Sequence, residues 1–163
     1  MNRTLIALGS VGLAFSVLYA ASGKVQSAKI VAQDGQGNFF GDVQVTYADG
    51  STELLTHGGK CSTIHVTSTG AVGWVQGTPE GGKVVIRLPD GKTKEFLPDP
   101  GPFIVDWGFA DNDTAVVIKT AGAHGPAFCI KYAIETGKVT GKTGPMGYEK
   151  MPKWAQPFSD DKR

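Results

Sequence analysis

Val43-Gln44-Val45-Thr46-Tyr47-Ala48-Asp49-Gly50-Ser51-Thr52-Glu53-Leu54-Leu55-Thr56 reads as one β-hairpin. Val43, Val45 and Tyr47 alternate with Gln44 and Thr46, so the first strand has an apolar face and a polar face. Asp49-Gly50 supplies a tight turn, because glycine reaches positive φ without a Cβ clash. Thr52 to Thr56 then returns as the second strand. The unit recurs at 83–97, turning at Asp90-Gly91, and at 129–141, turning at Glu135-Thr136-Gly137. The turn glycines Gly50, Gly91 and Gly137 lie about 41 and 46 residues apart, the period of a four-stranded propeller blade.

Further strands follow from β-branched and aromatic runs bounded by Gly, Pro, Asp and Asn. They are expected at 28–33, 39–47, 52–56, 63–68, 71–76, 83–88, 93–97, 103–109, 114–120, 127–134 and 138–141. These form two sets of four, at 63–97 and 103–141, and a shorter set of three at 28–56. Val116-Val117-Ile118 lacks alternation and reads as a strand covered on both faces. Leu97-Pro98-Asp99-Pro100-Gly101-Pro102 stops any strand from running through and marks a boundary between sets. The fold class is all-β, with about three antiparallel propeller-blade-like sheets; a β-sandwich or barrel is the alternative.

Three segments organise the chain. Residues 1–23 read as a signal peptide: Arg3, then an uncharged, mostly apolar run, then the small residues Ala20, Ala21, Ser22 and Gly23. An uncleaved membrane anchor is the alternative for this run. Residues 24–144 are the all-β repeat domain, and 145–163 form an irregular tail. Met146, Tyr148, Trp154 and Phe158 are too apolar for a spacer and are expected to pack back on the sheet. The expected location is periplasmic or extracellular, with no membrane contact once the signal is cleaved.

The formal net charge is +1, and the basic residues are scattered. That balance is a poor match for nucleic acid, which demands massed positive charge. Catalytic signatures such as G-x-S-x-G and H-E-x-x-H are missing. Gly91-Lys92-Thr93 and Gly141-Lys142-Thr143 lack the upstream glycine of a phosphate loop, since Ile86 and Thr136 stand there. Asp111-Asn112-Asp113 lacks the central Gly and closing Glu of a calcium loop and reads as a polar turn. No cofactor or metal is expected.

The segments Ala48-Asp49-Gly50-Ser51-Thr52-Glu53-Leu54-Leu55-Thr56 and Val105-Asp106-Trp107-Gly108-Phe109-Ala110-Asp111-Asn112 resemble the blade signatures of periplasmic β-propellers of the TolB or WD-repeat kind. The chain has room for about three blades, fewer than a closed ring needs. It is therefore a fragment that assembles with copies of itself, an open stack with capped ends, or a different all-β fold. The resemblance implies a non-enzymatic binding or scaffold module with a protein, peptide or glycan partner.

Candidate binding residues are His65, Asp106, Trp107 and His124. The competing reading is a small exported hydrolase in which His65, Asp106 and His124 converge only in three dimensions, one His serving as base. Trp74 and Trp107 are expected in the core; an exposed one would form a platform for a sugar or peptide. Cys61 and Cys129 form the disulfide candidate. Export favours the bond and separated blades oppose it, and the bond is the expectation.

Overall fold

The computed structural model describes residues 23–32, 40–77, 81–99, 103–144 and 148–159. The expected targeting segment falls almost wholly outside these. Among the described residues no helix is long and apolar enough to cross a membrane.

Among the described residues eleven strands form three antiparallel sets. The first contains β1 (Val25–Ala32), β2 (Gly41–Tyr47) and β3 (Thr52–Leu54). The second contains β4 (Cys61–Val66), β5 (Val72–Gln76), β6 (Lys83–Arg87) and β7 (Thr93–Phe96). The third contains β8 (Phe103–Ala110), β9 (Ala115–Ala121), β10 (Phe128–Ala133) and β11 (Val139–Thr143). A Gly41–Cys61 pairing joins β2 to β4 and links the first two sets along one edge.

The turns repeat in their hydrogen bonds. At the first, the Tyr47 amide donates to the Ser51 carbonyl and the Gly50 amide to the Tyr47 carbonyl. Leu88, Lys92 and Gly91 reproduce that pattern, and Gly50 and Gly91 share a φ of 83°. Asp49 and Asp90 each accept the amide two residues on, which fixes the turn from its own side chain.

The sets stack face to face. Val43, Val45, Tyr47, Val72, Trp74 and Val85 fill the first seam. Ile86, Trp107, Val116, Ile118, Ile130 and Tyr132 belong to the second. The outer face of the third sheet is covered by the C-terminal segment, where Val117 and Cys129 meet Ala155 and Phe158. This explains why 116–118 shows no alternation: Val116 and Ile118 face the second sheet, and Val117 faces the tail. The tail aromatics sit over strand glycines. A Cβ on Gly141 would lie 2.8 Å from Trp154, and one on Gly108 would lie 3.2 Å from Phe158. Trp154 and Phe158 thus pack on the sheet as expected; Met146 and the Tyr148 side chain lie outside the described residues. On the far side of the first sheet, Lys29, Gln44, Thr46 and Thr52 share the outward face by register with the exposed Val31 and Leu54.

Two expectations need correction. Strand β4 begins at Cys61 rather than 63, because Thr63 adopts a φ of 42° inside a bulge between Ser62 and Ile64. That extra residue breaks the alternation which marks the strand. The expected Cys61–Cys129 disulfide does not form. Cys61 is buried in the first seam and Cys129 behind the third sheet, so the stacked sheets keep the two thiols apart, and a bond needs Cα atoms within about 7 Å.

Candidate functional site

The first sheet lacks the fourth strand that the other two possess, among the described residues. Local polar contacts explain how the chain takes this short cut. The buried Asp42 carboxylate accepts from Thr56 Oγ1 at 3.1 Å and from the Gly59 amide at 3.0 Å. Thr56 Oγ1 in turn accepts the Val43 amide at 2.8 Å and lies 3.5 Å from the Cys61 thiol. These bonds turn the chain after β3 directly into the inner strand of the next sheet. Burial pushes the Cys61 thiol above its ordinary pKa, with Asp42 adding to the shift and the Thr56 bond opposing it.

The short cut leaves the outer part of the second sheet uncovered. A cleft of about 350 Å³ opens there, between β3 with its following loop and the β5–β7 face. Register builds its floor. Trp74, Val85 and Glu95 form one cross-strand row, and Arg87 and Thr93 form the next. Glu53 on β3 closes the side nearest the core. Its carboxylate accepts from the Tyr47 hydroxyl and lies 3.4 Å from Arg87 Nη2, while Arg87 Nη1 donates to the Tyr47 oxygen at 3.0 Å. Burial, aided by the bond to Glu53, raises the Tyr47 pKa against the opposing effect of Arg87. Glu95 pairs with Lys83 at 2.7 Å. Each carboxylate of the cleft therefore has a basic partner.

Trp74 lines this cleft and is 4% exposed. Among the described residues its indole N–H is buried and meets no hydrogen-bond acceptor. A buried donor without a partner forfeits about 1–3 kcal/mol, and native structures contain few such groups.

The residues singled out from sequence lie elsewhere. Trp107 on β8 is 1% exposed and crosses the second seam. Its Nε1 donates to the Thr63 carbonyl at 3.1 Å, and the bulge at Thr63 aims that carbonyl across the seam. The His65 ring packs edge-on against the indole at 4.7 Å between centroids. Asp106 accepts the Trp107 amide at 2.8 Å and lines a cavity of about 70 Å³ with Ser62, Thr63 and Trp107. His124 stands in the exposed turn between β9 and β10, beyond the Phe103–Ala121 pair and away from Asp106 opposite Lys119. Three of the four residues thus gather at one seam, with Trp107 as a packing residue, and His124 does not join them. Among the described residues neither His65 nor Asp106 has a hydrogen bond to the other. Asp111, Asn112 and Asp113 form the expected polar turn, all at positive φ, with Asp111 paired to Lys131 at 2.8 Å.

The cleft was missed because Trp74 reads as ordinary core, and its burial bears that out. The legible signal was the three-strand first set, whose consequence is a vacancy beside β7.

No protein-family model and no curated protein matches the chain. Its fold is similar to the β-propeller domain of the Trilobed protease from Pyrococcus furiosus, described as having an open velcro topology. The TM-score is 0.58 at 9% identity, over 73% of this chain and 39% of that one. The chain is thus a propeller-like array spanning about two fifths of the length of that structure.

Proposed function

We propose that this chain is an exported binding module of the propeller type, close in kind to periplasmic TolB-like or WD-repeat proteins, and that it holds its ligand in the outer cleft between its first two sheets. The observation that carries this reading is the cleft itself, lined by Trp74, Arg87 and Glu53 where the first set stops at three strands among the described residues. The cleft volume of about 350 Å³ falls within the range of ligand sites. Its paired charges favour a neutral polar ligand over an ion. Export rests on the uncharged N-terminal run and the small residues after it.

Indole-labelled protein tests the site. Neutral glycan and peptide panels are titrated while the three tryptophan N–H signals are followed by NMR, with Trp74→Phe supplying the assignment. The expected result is that at least one ligand class moves the Trp74 signal selectively. Ligands that move only Trp107 or Trp154, or a panel that moves none, would contradict the reading.

A further inference from the structure

We infer that the cleft is a strand-acceptor site: an extended, neutral polar peptide adds to the outer edge of β3 and supplies the fourth strand that the first sheet lacks. The inference rests on the binding role proposed for the cleft and names its ligand class.

The edge itself is the first argument. The Tyr47 amide donates to Ser51 and the Leu55 amide to Val43. Antiparallel bonding alternates, so residues 51, 53 and 55 turn their backbone groups toward β2. Thr52 and Leu54 therefore turn theirs the other way. Among the described residues β3 pairs with β2 alone, and Thr52 and Leu54 are both exposed. A row of unpaired N–H and C=O groups is a template for another strand.

The second argument is the floor opposite that edge. In the second sheet the row Trp74, Val85 and Glu95 ends on β7, the fourth strand. The position facing β7 from the first sheet is the one left open. A strand placed there lies in the cleft with alternate side chains over Glu95 and Thr93 of β7.

The third argument selects the ligand class. Glu53 is held by Arg87 and Glu95 by Lys83, so a charged ligand gains no unpaired counter-ion. A glycan would leave the β3 edge unpaired, whereas a strand pairs it. At about 3.3 Å per residue, an edge of three residues spans roughly 10 Å, so about three peptide residues cover it.

The test uses the full chain and a displayed library of seven-residue peptides, with a neutral glycan array as the rival probe. The expected outcome is enrichment of neutral polar peptides that shift the Trp74 indole signal and slow amide exchange at Thr52 and Leu54. Leu54→Pro removes an outward N–H without touching the bonds to β2, so the thermal midpoint should hold while affinity falls tenfold or more. The same peptides N-methylated at alternate residues should lose binding in one register only, which requires no change in the protein. A glycan that shifts Trp74 while no peptide does would overturn the peptide class and leave the cleft reading standing. Peptides that bind without protecting Thr52 and Leu54 would overturn strand addition. If neither class reaches Trp74, both this inference and the binding role of the cleft fall.

Discussion

Gly73→Ala should destabilise the protein although it adds a single methyl group to a strand. Gly73 sits in β5 directly beneath the indole of Trp107. A Cβ built there lies 2.4 Å from Cη2 and 3.0 Å from Cζ3 of that ring, and 3.3 Å from Cγ1 of Ile86. The ring has little freedom to retreat. Its N–H is bonded to Thr63, His65 packs on one edge, and Phe109 lies 5.6 Å away between centroids. Reaching ordinary contact requires the indole to shift by about 1 Å, the scale of overpacking that costs about 1–3 kcal/mol. Weakening the bond to Thr63 adds about 1 kcal/mol. The stiffer unfolded chain returns about 0.4–1 kcal/mol. The net loss is about 2 kcal/mol, equivalent to a fall of roughly 5–8 °C in melting temperature for a domain of this size. A double-mutant cycle by urea denaturation isolates the cause. Trp107→Leu should relieve part of the Gly73→Ala penalty, with a coupling of at least about 1 kcal/mol. Equal midpoints for Gly73→Ala and wild type, or strict additivity in the cycle, would refute the claim that the glycine exists to admit the ring.

Other outcomes follow from the same geometry. Phe158→Ala uncovers the third sheet and should cost about 3 kcal/mol in urea; a change below a few tenths would mean that the tail is not a cap. Gly50→Val and Gly91→Val each force a β-branched residue to positive φ, at about 1–2 kcal/mol by denaturation midpoint. Tyr47 and Cys61 are acids whose pKa values rise on folding, from ordinary values of 10.0 and 9.0. Their contribution is intact below those values and is lost as pH climbs through the raised ones. Thermal midpoints should therefore drop from about pH 9 upward, and the Tyr47→Phe/Cys61→Ala protein should show a shallower drop. Mass spectrometry of protein from an exporting host should find a chain shortened by roughly twenty to twenty-three residues; full-length chain in the membrane fraction would favour an anchor.

The strands were legible because their signals are local. Val43, Val45 and Tyr47 alternate with polar neighbours, and Asp49-Gly50 and Asp90-Gly91 carry their own turn chemistry. The three-strand first set could be read for the same reason. What sequence could not supply was which faces meet. Cys61 and Cys129 looked like partners because pairing in an exported chain is common, yet they lie in different apolar layers. Asp106 and His65 were noticed for their chemistry, and His65 turned out to pack against Trp107. Trp74 was legible as core; the cleft beside it depends on what stands opposite β7, which no local pattern encodes.

The central claim is that the outer edge of β3 stands open over the cleft. Amide hydrogen exchange of the unliganded protein, followed residue by residue by NMR, tests it most directly. The account predicts slow exchange at Leu55, whose amide is bonded to Val43, and fast exchange at Thr52 and Leu54. Equal protection at Thr52, Leu54 and Leu55 would contradict it, because a fourth strand would then already occupy the edge.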